Sequence, residues 1–304
     1  MYRPNLRHLE FLAALDEEVH FGRAAERCHV TQSALSAGIK ELEAGLGVSV
    51  AERTRRSVTL TPVGRELARR ARDILSDARA FVDYAKSQKG ALSGDFRLGA
   101  IPTLAPYLLP QVLPDIQKRY PDLRLYVREA VTDDLLDALQ AGRLDAILIA
   151  LPYDLGDLAV FEMFDDGYEL AVPASHELAA CDCLAKTDLA ELEMMLLEKG
   201  HCLQRHALSA FGRNGPAQDR SFEATSLPTL VAMVAEGLGT TLLPDLAIRA
   251  GVTRGYDVKL VPLEGALPRK VALACRKHSP RKEEISRLAE VMATVVARGQ
   301  RAAR

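Results

Sequence analysis

Residues 20–48 read HFGRAAERCHVTQSALSAGIKELEAGLGV, and residues 52–64 read ERTRRSVTLTPVG. The first stretch predicts two short helices around a tight turn. One runs from about Gly22 to Cys28, where the small Ala24 and Ala25 let another helix approach closely. Thr31 is an N-cap for the next, which continues to about Leu46. Leu35, Ile39, Leu42 and Leu46 recur at steps of four, three and four and share one face. Gln32, Ser33, Ser36 and Lys40 fall on other faces. A capped second helix after a tight turn is a helix-turn-helix. Amide and hydroxyl groups at its start suit the donor and acceptor pattern of a DNA major groove. Gln32, Ser33, Ser36 and Lys40 are therefore candidate DNA contacts. A three-helix bundle with a polar surface is the competing reading.

Upstream, Asn5 to Val19 predicts a helix with Leu6, Leu9, Leu12 and Leu15 on one face. Downstream, the second stretch predicts two short strands around a turn. Arg53, Arg55 and Arg56 lie at this wing, where cations can meet phosphates or enter a minor groove. Thr61-Pro62 is a helix start, and the pattern continues to about Gln88. Leu67, Ala71, Ile74, Ala78, Phe81 and Ala85 recur at steps of four and three. Such a stripe reads as a coiled-coil seam. Packing of this helix on its own domain is the alternative. Residues 89–94, with two glycines, read as a hinge.

The 304 residues suit a small domain followed by a larger one. No apolar run approaches the ~20 residues of a membrane span, and MYRPNLRHLE has no apolar signal core. A cytoplasmic protein without a membrane partner is expected. The net charge of -2 does not itself point to nucleic acid, but arginines cluster at 53–56 and 65–72. Five cysteines, an odd number without a signal peptide, argue against a secreted disulfide framework. No pair has zinc-ligand spacing, so neither metal nor cofactor is expected. No paired carboxylates, serine triad or phosphate loop stands out, and no enzyme activity is expected.

The two quoted stretches resemble, in order and spacing, the N-terminal signature of LysR-type regulators. Val50-Ala51 departs from it, since many members carry a leucine and a phenylalanine there. The resemblance implies a winged helix-turn-helix on double-stranded operator DNA, paired through the linker helix into a homodimer and further into a homotetramer. RNA polymerase is a further partner it implies.

From Asp95 the rhythm becomes strand–helix alternation. FRLGAI, LRLYVREA and LDAILIAL read as strands, and APYLLPQVLPDIQKRY and DDLLDALQAG as helices. The pattern restarts near Tyr168 with YELAVP, EMMLLE, a helix after Cys202, and TTLLP. VALACR and a helix from Pro280 to Ala297 close the chain. Alternation of this kind predicts a mostly parallel sheet covered by helices. It resembles the two-lobed α/β fold of periplasmic binding proteins, which LysR-type sensing domains share. The expected layout is a DNA-binding domain at 1–61, a linker at 62–94, one lobe at 95–166 and 266–304, and a second at 167–265. Ligands of such folds lie at the carboxyl ends of strands. Thr103, Thr132 and Thr225-Ser226 are placed to line that cleft, and each can equally be a helix cap.

LLEKGHCLQRHALSAF puts Cys202 between a strand end and a predicted helix start. Helix-terminal amides and the nearby Lys199, His201, Arg205 and His206 favour a thiolate. An accessible thiolate is what peroxide oxidises first. A small buried hydrophobe is the other reading of Cys202. GAIPTLAPYLLP, LLEKGHCL and ATSLPTLVAMVAEGLGTTLLP are similar to segments of the peroxide-sensing OxyR branch of the LysR family. That resemblance makes Cys202 the peroxidatic residue and Thr103, Thr132 and His201 its pocket. Two departures stand out. Phe211 occupies the position of the usual resolving cysteine, and Gln204 stands where an arginine is common. Cys202 would then signal as a sulfenic acid or mixed disulfide, or pair with Cys181 or Cys183, or peroxide sensing has been lost. In the last case a small organic metabolite near Thr103 and Ser226 is the effector. Cys28 and Cys275 read as structural.

Overall fold

A computed structural model describes residues 2–53, 58–87, 92–185, 192–198 and 217–302. The chain forms two compact units. One comprises Met1–Lys89 with Gln140–Arg143, the other Gly90–Leu139 with Leu144–Arg304.

The first unit opens with α1 (Leu6–Glu18), capped by the Asn5 side chain, which accepts from the His8 amide at 2.8 Å. In α2 (Phe21–Arg27) the cap is His20, whose Nδ1 accepts from the amides of Gly22 and Arg23. Thr31 Oγ1 accepts from the Ala34 amide at the start of α3 (Gln32–Leu46). Leu12 and Leu15 of α1 and Leu35, Ile39 and Leu42 of α3 are almost fully buried, and Phe21, Ala24 and Ala25 of α2 join the same core. Leu6 and Leu46 are not part of this core, being 48% and 37% exposed. Both lie in the terminal turn of their helix, where the stripe outruns its packing partner. Gly38 is required by the close approach of α3 to α1, because a Cβ there would meet the Phe11 ring at 2.6 Å.

The wing strands β1 (Ala51–Arg53) and β2 (Val58–Leu60) pair antiparallel, Ala51 opposite Leu60. The Glu43 carboxylate accepts from the amides of Val50 and Ala51 and so ties α3 to the wing. Val50 and Ala51 are both buried beneath it. Next comes α4 (Pro62–Ser87), capped by Thr61 Oγ1 on the Gly64 amide at 2.9 Å. A Cβ on Gly64 would lie 2.0 Å from the Val50 carbonyl oxygen, so only glycine fits this junction. The predicted heptad stripe divides in two. Ala71 is buried with Leu75 against Leu9 and Ala13 of α1. Ile74 and Phe81 face outward, 47% and 77% exposed, with Val63 and Val82 also exposed. Arg72 pairs with Asp16 at 2.7 Å, clamping α4 to α1.

In the second unit, β3 (Gly94–Ala100), α5 (Ala105–Arg119), β4 (Leu123–Glu129), α6 (Thr132–Gln140) and β5 (Ala146–Leu151) follow in sequence. The larger sheet adds β6 (Leu158–Asp166) and β13 (Arg269–Arg276), in the order β4-β3-β5-β13-β6. Strands β4, β3 and β5 are parallel, whereas β13 is antiparallel to both β5 and β6. The expectation of a mostly parallel sheet holds in strand direction: β4, β3, β5 and β6 run one way, and β13 is the strand that runs against them. A strand that carries the chain out of a lobe and one that brings it back must run oppositely, and β6 and β13 do so. The final helix α9 (Lys282–Ala302) packs on α5 and these strands.

The second lobe holds β7 (Tyr168–Pro173), a turn of 3-10 helix (Glu177–Ala180), β8 (Leu184–Ala185), β9 (Glu193–Leu197), β10 (Ala217–Ala224), α7 (Leu227–Ala235), β11 (Thr241–Pro244), α8 (Asp245–Arg249) and β12 (Val258–Glu264). Its main sheet has the order β11-β7-β12-β8, and β9 and β10 form a parallel pair beside it. No described helix is long and apolar enough to cross a membrane.

Candidate functional site

Two surfaces carry the candidate residues. On α3 the buried Leu35, Ile39 and Leu42 turn the opposite face outward. Gln32, Ser33 and Lys40 are exposed there and Ser36 is half-buried. Ser33 Oγ lies 3.0 Å from the capping Thr31 Oγ1, which fixes its position at the helix start. Arg53 ends β1, but its side chain, and Arg55 and Arg56 altogether, lie outside the described residues. The basic side chains of α2 are engaged elsewhere: Arg23 pairs with Glu18, and Arg27 with Glu17 and Glu18.

In the sensing unit, β3 and β4 are adjacent and parallel, so their carboxyl ends lie side by side. Thr103 follows one and Thr132 opens the helix after the other. Both are 1% exposed. Neither is a cap: the N-cap of α5 is Leu104, and Thr132 is the first residue inside α6. Thr132 Oγ1 is buried without a hydrogen-bond partner among the described residues. Leaving a buried hydroxyl unsatisfied costs about 1–3 kcal/mol.

Thr103 is held from behind. Arg269, the first residue of β13, donates from Nη1 to Thr103 Oγ1 at 3.0 Å and from Nη2 to its carbonyl at 3.1 Å. The same guanidinium donates from Nε and Nη2 to Asp166 Oδ2 at 3.0 and 2.8 Å. Asp166, the last residue of β6, accepts through Oδ1 from the Leu246 amide in α8 at 2.8 Å. Arg269 and Asp166 both have fully buried side chains. Because its oxygen already accepts from Arg269, the Thr103 hydroxyl is left with its proton to donate. The crossing strands β6 and β13, α8 of the second lobe and Thr103 thus share one network. Asp166 and Arg269 were not singled out in the sequence; they lie 103 residues apart and only the fold brings them together. The one local signal is an acid pair, Asp165-Asp166, directly before Gly167.

Burial, with nearby charge second, shifts two carboxyl groups upward. Burial raises Asp245, with Asp166 adding repulsion. Burial likewise raises Glu169, with Asp245 second. Tyr107, one turn after Thr103, is pushed up to about 12 by burial, with Glu129 contributing.

Ser226 is the N-cap of α7. Its Oγ accepts from the Thr229 amide at 3.4 Å and lies 2.9 Å from Thr229 Oγ1. Thr225 is exposed. Cys202, His201 and Phe211, and the helix expected after Cys202, lie outside the described residues. Burial raises the thiols of Cys28 and Cys275 above their ordinary value. Cys181 is half-buried and Cys183 exposed, both free thiols. Among the described residues no three His, Cys, Asp or Glu side chains group as metal ligands would.

Residues 6–65 match the bacterial regulatory helix-turn-helix protein of the lysR family, and residues 89–297 match the LysR substrate binding domain. The HTH-type transcriptional regulator EstR of Acinetobacter baylyi is 39% identical over 295 residues, 97% of this chain and 98% of that one. The DNA-binding transcriptional dual regulator OxyR of Escherichia coli is 39% identical over 288 residues, 95% and 94% of the two chains. A full-length OxyR variant from Pseudomonas aeruginosa superposes with a TM-score of 0.77 at 34% identity, covering 96% of this chain and 95% of that one. A peroxide-bound OxyR variant from Corynebacterium glutamicum gives 0.67 at 32% identity, covering 98% and 94%. A winged helix-turn-helix followed by a two-lobed sensing unit, similar along nearly its whole length to such regulators, belongs to the LysR family of DNA-binding transcription regulators rather than to the enzymes.

Proposed function

We propose that this regulator controls oxidative-stress genes by sensing peroxide, or another thiol oxidant, through Cys202. The observation that supports it best is the pair of buried hydroxyls at Thr103 and Thr132, one accepting from Arg269 with its proton left to donate, the other without a partner among the described residues. Two small hydrogen-bonding groups suit a small, uncharged, oxygen-rich guest. In the proposed chemistry the Cys202 thiolate attacks one peroxide oxygen. An S–O bond forms, the O–O bond breaks, and hydroxide leaves and takes a proton to become water. The sulfur loses two electrons and becomes a sulfenic acid. With Phe211 at the usual resolving position, a small thiol, or Cys181 or Cys183, attacks the sulfenic sulfur; an S–S bond forms, the S–O bond breaks and water leaves. The same reading assigns His201 a role beside Cys202.

On the DNA side, Gln32, Ser33, Ser36 and Lys40 meet operator DNA, with Arg53, Arg55 and Arg56 on the wing. The exposed apolar side chains of α4 pair two chains, and dimers pair further into a tetramer. The layout proposed is 1–61 for DNA binding, 62–94 for the linker, 95–166 with 266–304 for one lobe and 167–265 for the other. RNA polymerase contact and a cytoplasmic setting complete the reading.

A second reading is regulation by a small organic metabolite bound near Thr103 and Ser226. EstR, whose name does not mention peroxide, matches as well as OxyR does. Two features weigh against an acid in the cleft: the Arg269 charge is met by Asp166, and Ser226 is occupied as a cap. Operator footprinting of the wild type and Cys202→Ser separates the two. Peroxide is expected to shift the wild-type footprint and leave the variant unchanged. An intact response in Cys202→Ser overturns the redox reading.

A further inference from the structure

Arg281 is a buried arginine that no part of the DNA-binding or sensing account uses. It directly precedes α9 and is 6% exposed. Its guanidinium reaches across to the start of β3. Nη1 donates to the Asp95 carbonyl at 2.8 Å and Nη2 to the Ser93 carbonyl at 3.2 Å. Nε donates to Glu284 Oε2 at 2.9 Å, which orients the fork from its own helix. The guanidinium also lies 4.9 Å from the centre of the fully buried Phe96 ring. Residues 92–96 are where the chain enters the sensing unit. Leu92 is already in the core, and the Gly94 amide donates to Asp122.

A charged side chain is rarely buried to this extent unless it is fully engaged. Here it joins the first strand of the unit to its last helix, across more than 180 positions of sequence. We propose that Arg281 is a positioning residue that fixes the entry point of the linker, so that movement within the sensing unit is delivered to the linker helix rather than absorbed at residues 92–96. The inference is independent of what the unit senses. A loose entry would let the sensing unit change while the DNA-binding unit stayed put. A pinned entry converts a shift in α9 or β3 into displacement of the chain that leads to α4.

Hydrogen exchange of the full-length wild type gives the first reading. Amides at 94–97 are expected to be as protected as those of β5, and exchange near the free-chain rate overturns the clamp. In Arg281→Met, which keeps the stem over Phe96 and loses the fork, exchange at 92–97 is expected to rise on the order of tenfold, with β5 and β13 unchanged. A uniform rise over the whole sheet marks a merely structural arginine and refutes the proposal. If the Met variant fails to fold, Arg281→Lys, which lacks the planar fork that meets both carbonyls and Glu284 at once, is read in the same way. With hydrogen peroxide as probe, Arg281→Met is expected to oxidise and to bind operator when reduced as the wild type does, yet to lose most of the transcriptional response. A full response refutes the proposal. Absence of a response in the wild type itself counts against peroxide sensing, and the clamp is then decided by exchange alone.

Discussion

Replacing Asp166 with asparagine tests whether the buried network at the lobe crossing is organised as described. The substitution keeps the volume and one carbonyl oxygen but removes the charge. Asp166 accepts from Arg269 Nε and Nη2 and from the Leu246 amide, with both charged side chains fully buried. Breaking a buried pair on one side leaves the other charge uncompensated, a loss of about 3–5 kcal/mol. For a unit of roughly two hundred residues each kcal/mol lowers Tm by ~2–4 °C. A drop of ~6–20 °C follows for the sensing unit, measured by circular dichroism of the full-length protein. The exposed Lys270–Glu162 pair is the internal control, because Glu162→Gln breaks a solvent-screened pair and should leave Tm essentially unchanged. The double variant Asp166→Leu with Arg269→Met removes both charges and is expected to melt above Asp166→Asn. A melting point for Asp166→Asn within 2–3 °C of wild type, about 1 kcal/mol, refutes the reasoning.

Four further outcomes are expected. Gly64→Ala drives a Cβ into the Val50 carbonyl and should abolish operator binding while leaving the melting of the sensing unit unchanged, as read by gel shift and calorimetry. Phe81→Asp, on the exposed face of α4, should shift the sedimentation profile toward monomer, whereas an unchanged profile removes that face from the dimer contact. Glu169 has a folded pKa raised by burial and by Asp245, so its charge destabilises the fold above that pKa and the penalty disappears as the carboxyl protonates. Glu169→Gln should therefore raise Tm at pH 7.5, with the gain shrinking as pH falls toward 4.5; a gain that grows on acidification contradicts the sign. In native alkylation Cys183 should label ahead of Cys28 and Cys275, which react only on unfolding because burial raises both thiols; labelling of Cys275 as fast as Cys183 contradicts this.

The DNA-binding unit was legible because its signals are local. Thr31 as a cap, the spacing of Leu35, Ile39 and Leu42, and the Thr61-Pro62 start each act within a few residues. The stripe misled only where a helix outruns its partner, at Leu6 and Leu46, and on α4. There two apolar faces overlap in sequence, and Ala71 belongs to the one that meets α1. The sensing unit was legible in its buried strands, such as Ala146–Leu151, and less so at its edges. Strand β6 was missed because its exposure is irregular and its pairing with β13 slips between Val271 and Ala272. The half-exposed β12 was missed for the same kind of reason. Of the candidate pocket residues, Thr103 and Thr132 could be proposed from their place after strands. Asp166 and Arg269, which hold Thr103, could not, since nothing local couples residues 103 positions apart.

Peptide-mapped mass spectrometry of the reduced protein, after near-stoichiometric peroxide with a sulfenic-acid trap present, tests the central claim most directly. The account predicts rapid trapping at Cys202, or its appearance in a disulfide with Cys181, Cys183 or a small thiol, while Cys28 and Cys275 stay reduced. A Cys202 that remains a thiol in protein still able to bind operator DNA contradicts it and turns the search to an effector bound near Thr103 and Thr132.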